Sequence, residues 1–64
     1  MFIVECVNTR QSMPSQIIEG EYEYLDINTA HGDTDGEWYA DIYDYGNKNQ
    51  KIGHLRMSHF MRVE

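Results

Sequence analysis

The 64-residue sequence predicts an all-β domain: five short strands, bent in the middle and curled into a small barrel, with one short helical turn near the C-terminus. Three observations lead there. Apolar and polar residues alternate in short runs bounded by Gly, Asn, Asp and Pro, the pattern of strands and turns. No amphipathic stretch is long enough to make a stable helix. So short a chain also encloses only a modest core, and curling the sheet hides edges that a flat sheet would leave open.

The elements follow in order. "FIVECV" reads as the first strand, with Phe2, Val4 and Cys6 on one face and Glu5 on the other. "NTRQSMPSQ" is a long polar loop carrying the only proline, Pro14. In "IIEGEYEYLDI" a turn at Glu19-Gly20 leads into a strand with Tyr22 and Tyr24 on one face and Glu21 and Glu23 on the other. The apolar phase then moves to Leu25 and Ile27, which predicts a bulge or sharp bend near Leu25. "NTAHGDTDG" reads as a loop containing the tight-turn dipeptide Asp35-Gly36.

"EWYADIYDY" is the strongest strand, rich in aromatic and β-branched residues. Trp38, Ala40 and Ile42 form its inward row, and Tyr39, Asp41 and Tyr43 a row at least half exposed. "GNKNQK" reads as a hairpin loop, "IGHLRM" as a strand, "SHFM" as a single helical turn and "RVE" as a last short strand. The expected core is Phe2, Val4, Cys6, Ile18, Tyr22, Tyr24, Trp38, Ala40, Ile42, Leu55, Phe60 and Val63. There is no repeat and no low-complexity segment, so residues 1–64 are read as one domain.

Net charge is −6, and its distribution is uneven. Between Gln11 and Asn47 there is no Lys or Arg, while Glu19, Glu21, Glu23, Asp26, Asp33, Asp35, Glu37, Asp41 and Asp44 all fall there. From Gly46 to Val63 the sign reverses, with Lys48, Lys51, Arg56 and Arg62 and no acid. Direct binding to nucleic acid is disfavoured, because phosphates demand a basic face. Glu5 interrupts the apolar run of "MFIVECV", which has no basic start, and no segment nears the roughly 20 apolar residues that span a bilayer. A soluble, cytoplasmic protein is expected, with no membrane partner.

Candidate chemistry is sparse. Asp33-Thr34-Asp35-Gly36 hints at a calcium loop, but started at Asp33 the loop puts Trp38 where glycine belongs, and started at Asp26 it puts Ala30 and His31 where an oxygen ligand and glycine belong. Cys6, His31, His54 and His59 lack the paired spacing of a zinc site; Cys6 alternates with Val4 as a small core residue, and His54 and His59 read as surface or cap residues. A lone cysteine also rules out an internal disulfide. No Cys or Ser stands in a recognisable arrangement with His and an acid. The expectation is a protein without catalysis, metal or cofactor.

What remains is an aromatic and acidic combination. Trp38 and all five tyrosines fall inside the stretch that lacks bases. Tyr39, Tyr43 and Tyr45, flanked by Asp41 and Asp44, form the expected contact surface, with Glu21 and Glu23 as neighbours. Tyrosines supply rigid contact area and carboxylates select a basic target.

Two resemblances bear on this. "ADIYDY" is similar to the A-L-Y-D-Y motif of the Src-homology-3 (SH3) domains that read proline-rich peptides, but it lies near the C-terminal end and no tryptophan follows it. Taken together, "VECVNT", "IIEGEYEYLDI", "WYADIYDYGN" and "HFMRVE" resemble the small SH3-like β-barrel proteins of Gram-positive bacteria and their phages. The sequence departs from that pattern at Glu21, where lysine is common, and in its longer loops around Pro14 and His31. The resemblance implies an SH3-like barrel and leaves activity open.

Within it, the expected function is a non-catalytic protein-binding module. Its sharper form is a phage-type inhibitor whose acidic face mimics nucleic acid and blocks the basic groove of a nucleic-acid-binding enzyme. The alternatives are single-stranded nucleic-acid binding by tyrosine stacking and the reading of proline-rich peptides.

Overall fold

Residues 1–9 and 13–64 are described by a computed structural model of the chain. Five strands follow one another: β1 (Phe2–Cys6), β2 (Tyr22–Gly32), β3 (Trp38–Asp44), β4 (Asn47–Arg56) and β5 (Phe60–Arg62), with a single 3-10 turn, Met57–His59, before the last. They make one antiparallel sheet in the order β4-β3-β2-β1-β5. The expected closed barrel is not reached. Among the described residues no ladder joins β4 to β5, and β5, three residues long, pairs with β1 alone.

Residues opposed across an antiparallel ladder point to the same face, which assigns the two faces directly. Phe2 opposes Leu25, Leu25 opposes Ile42, and Ala40 opposes Leu55. That face carries the core of Val4, Cys6, Leu25, Ala40 and Ile42, each no more than 2% exposed. Ile17 closes it from the loop before β2, its N–H donating to the Pro14 carbonyl at 3.0 Å. Phe2, Met13, Ile52, Leu55, Met57 and Phe60 pack around the rim. Residues 10–12 of the loop predicted over "NTRQSMPSQ" lie outside the described residues.

Several core assignments change. Ile18 is exposed and Ile17 takes its place. Tyr22 is exposed and Tyr24 half-buried, because Leu25 facing Ile42 sets the phase of β2 and turns both tyrosines outward. Glu23 consequently turns inward. Trp38 is 57% exposed: β3 begins beyond the core, and the indole lies over Gly32, 3.4 Å from where a Cβ would stand. Val63 follows the end of β5 and is exposed, held by its N–H to the Ile3 carbonyl. His59, read as a surface or cap residue, is buried, with Nδ1 2.7 Å from Asn8 Oδ1.

The irregularity of β2, expected near Leu25, falls between Asp26 and His31. Two side chains build it. Asp26 Oδ1 accepts the Asn28 N–H at 3.1 Å, and Thr29 Oγ1 donates to the Asp26 carbonyl while accepting the Asp41 N–H at 2.8 Å. The hydroxyl thus satisfies a β3 donor that the shifted ladder leaves over. Because this local network preserves pairing, "NTAHG" continues β2 where a loop was expected, and the turn is confined to the segment around Asp35-Gly36. At the other end, Asp44 Oδ2 accepts the Gly46 N–H at 3.0 Å, so Tyr45-Gly46 turns the chain and β4 starts at Asn47 instead of after a "GNKNQK" loop. Gly20 and Gly36 occupy positive φ, 91° and 82°, in the turns before β2 and β3. Among the described residues no helix is long and apolar enough to cross a membrane.

Candidate functional site

The seven residues expected to form one contact surface divide into two groups. Strand alternation puts Tyr39, Asp41 and Tyr43 on the outer face of β3, as expected, but carries Asp44 to the inner face beside Glu23. Glu21 precedes β2, and Tyr45 sits in the turn after β3.

On the outer face Asp41 and, from the turn before β3, Asp35 already have partners. The basic run of β4 lies directly against the acidic run of β3, so charges far apart in sequence meet. Asp41 opposes His54; its Oδ1 is 2.7 Å from His54 Nδ1 and 3.2 Å from Lys51 Nζ. The His54 hydrogen bond, with Lys51 beside it, holds the Asp41 carboxyl below the usual range. Asp35 accepts the Tyr39 hydroxyl, takes the Glu37 N–H at 2.9 Å and lies 3.5 Å from Arg56. Those contacts, the Tyr39 hydroxyl foremost, lower its pKa, and Asp35 in turn raises that of Tyr39. His31, on β2, completes the cluster with Nε2 2.7 Å from His54 Nε2 and its ring beside Tyr39. Within this cluster Lys51 and Arg56 neutralise Asp41 and Asp35.

The opposite end of the β2–β3 pair differs. Glu21, Tyr22, Glu23, Asp44, Tyr45 and Gly46, with Gln16 and Gly20 from the preceding loop, line a concave pocket of about 370 Å³. Tyr45 meets Tyr22 edge-on at 5.8 Å between ring centroids and lies nearly parallel to Tyr24 at 5.3 Å, while Lys48 caps Tyr24 at 5.0 Å. Among the described residues none of Glu21, Glu23 and Asp44 is within ion-pair distance of a Lys, Arg or His. Glu23 is 3% exposed, and its Oε1 has no hydrogen-bond partner among the described residues. Burial, then the neighbouring Glu21 and Asp44, push its pKa up to about 7.

Tyr22 and Tyr24 were assigned to the core by the sequence and belong instead to this site. The signal was present in the Glu21–Tyr24 alternation, whose phase is ambiguous until Leu25 is given a partner. Cys6 is fully buried and donates to the Asn8 carbonyl at 3.4 Å; burial raises its pKa, which keeps it a thiol at neutral pH. Of the four candidate zinc ligands, only His31 and His54 come together, and among the described residues no three His, Cys, Asp or Glu side chains converge on a point where they could hold a metal ion. No protein-family model, curated protein or solved structure matches the chain.

Proposed function

We propose that the chain is a non-catalytic protein-binding module whose contact surface is the pocket end formed by Glu21, Tyr22, Asp44 and Tyr45, and whose partner presents a basic surface. The observation that carries this is the segregation of charge. The bases of β4 neutralise Asp35 and Asp41, whereas among the described residues the pocket acids have no cationic partner and lie beside two exposed tyrosines. Tyrosine rings give contact area at low entropic cost, and the carboxylates select Lys and Arg. Mechanism is then occlusion or tethering, with no bond made or broken.

The strand order, the long bent β2 that pairs both β1 and β3, and the 3-10 turn before β5 support an SH3-like arrangement of the sheet. Neutralisation of Asp35 and Asp41 counts against a nucleic-acid mimic, which needs carboxylates spread free along a face. A second reading, single-strand binding by stacking, has one observation in its favour. A neighbouring pocket of about 430 Å³ combines Phe2 and Tyr24 with Lys48 and Arg62.

The two are separated by titrating the full chain with a fluorescent peptide of mixed Lys and Arg and with an oligothymidylate. Binding of the peptide, weakened by salt and by Tyr45→Ala, supports the module. Binding of the oligonucleotide alone, lost in Lys48→Ala, overturns it.

A further inference from the structure

We infer that the pocket takes a single inserted lysine side chain of the partner protein, with Glu23 in its wall as the anchor for the ammonium group. This rests on the proposed binding function and names the chemistry of its central contact.

A buried carboxyl oxygen without a hydrogen-bond partner is costly, and native structures rarely keep one without a reason. Glu23 Oε1 is such an atom, on a side chain 97% buried by its 3% exposure, in the wall of a pocket that opens to solvent. Register explains how it came there: Val4 and Asp44 both oppose Glu23, so alternation drives it to the core face. The missing element is a donor.

Charge decides its sign. Glu21 and Asp44 flank Glu23, so an anion is repelled, and a neutral donor would leave three clustered carboxyl groups uncompensated. Since no three acidic, His or Cys side chains converge at metal-holding geometry among the described residues, a bound metal ion is not the occupant the site fits. An organic cation remains. Its apolar stem would lie along the exposed side of the Tyr22 and Tyr45 pair, whose rings pack edge-on at 5.8 Å and offer a cation–π surface.

Shape selects lysine over arginine. A compact ammonium on a flexible four-carbon stem suits a single orphaned oxygen, while a planar guanidinium needs two oxygens side by side to use its fork. The pocket volume of about 370 Å³ accommodates one such side chain.

The test is an NMR titration of the full chain with three blocked peptides of one sequence, carrying lysine, Nε-acetyl-lysine or arginine at the central position, on wild type and Glu23→Gln. Butylamine serves as a fourth probe that has the ammonium without the peptide. Expected is binding of the lysine peptide with a shift of the Glu23 side-chain carboxyl resonance, at least about tenfold weaker binding of the acetylated and arginine peptides, and loss of that preference in Glu23→Gln. Butylamine should bind far more weakly than the lysine peptide.

Glu23→Gln is nearly isosteric and removes a buried charge, so a dispersed spectrum is expected from it. Should that variant unfold, the carboxyl resonance of wild type still decides. Equal binding of lysine and arginine peptides, unaffected by Glu23→Gln and silent at the Glu23 resonance, overturns the lysine anchor while leaving the binding surface standing. Butylamine binding as tightly as the peptide overturns the protein-partner assignment. Failure of every basic peptide to bind overturns the underlying function and the anchor with it.

Discussion

Glu23 on β2 and Asp44 on β3 are register partners, so two carboxyl groups face each other on the side of the sheet that elsewhere packs the core. Opposed like charges destabilise an antiparallel pair, and here one of the two is buried without a partner for Oε1. Stability is given up at the point where the exposed tyrosines gather, and that coincidence links the fold to the proposed function.

The first prediction concerns pH. Glu23 titrates near 7 in the folded chain against an ordinary 4.5, so between those values the folded state holds more protons than the unfolded one and stability falls as pH rises. The loss is complete above the folded value and amounts to about 2 kcal/mol, after allowance for solvent at the pocket mouth. Urea unfolding of wild type and Glu23→Gln from pH 4 to pH 9 checks it. The variant should gain on wild type across that window, and a pH-independent difference would contradict the burial of a titrating Glu23.

Strand phase is tested at two neighbouring apolar positions. Leu25 is 2% exposed and Ile27 47%. Leu25→Ala should cost about 3 kcal/mol by transfer and cavity terms, whereas Ile27→Ala should stay within about 0.5 kcal/mol. Reversed magnitudes in chemical denaturation would show that the irregularity after Asp26 does not carry Ile27 off the core.

The two turn glycines make a third case. A Cβ at Gly20 or Gly36 would meet nothing within 4 Å, so only backbone strain is at stake. Alanine at either position should therefore destabilise by about 1 kcal/mol. A neutral result at both would be inconsistent with the positive φ values.

Division of the acids is tested by binding. Asp44→Asn should weaken binding of a basic peptide several-fold, while Asp41→Asn should leave it unchanged because Asp41 is already engaged by His54 and Lys51. Tyr45→Ala should weaken it about tenfold and lower stability by about 1 kcal/mol through the lost Tyr24 and Tyr22 contacts. Fluorescence anisotropy with parallel thermal melts measures both.

β1 and β3 could be read from the chain because each is a short run with strict alternation and an apolar row, Val4 and Cys6 or Ala40 and Ile42, that has nowhere else to go. The turns at Gly20 and Gly36 were legible for the same local reason. β2 was not. Its residues alternate Tyr with Glu, and a bulky amphipathic ring is tolerated on either face, so its own side chains do not choose. The extension through Asn28 to Gly32 was hidden because a loop-like composition is held in the sheet by the hydroxyl of Thr29, which supplies a bond that sequence pattern does not encode.

By itself, then, the sequence determined an all-β chain with an acidic, tyrosine-bearing stretch followed by a basic one, since composition and a two-residue period are local properties. Only the tertiary structure decided which acids remain unpaired. Asp41 and His54 are 13 residues apart and meet through the β3–β4 register, and Glu23 is turned inward by Leu25 facing Ile42 across another ladder. Strand phase and charge pairing are set by partners across the sheet, so they follow from register and not from the strand's own residues.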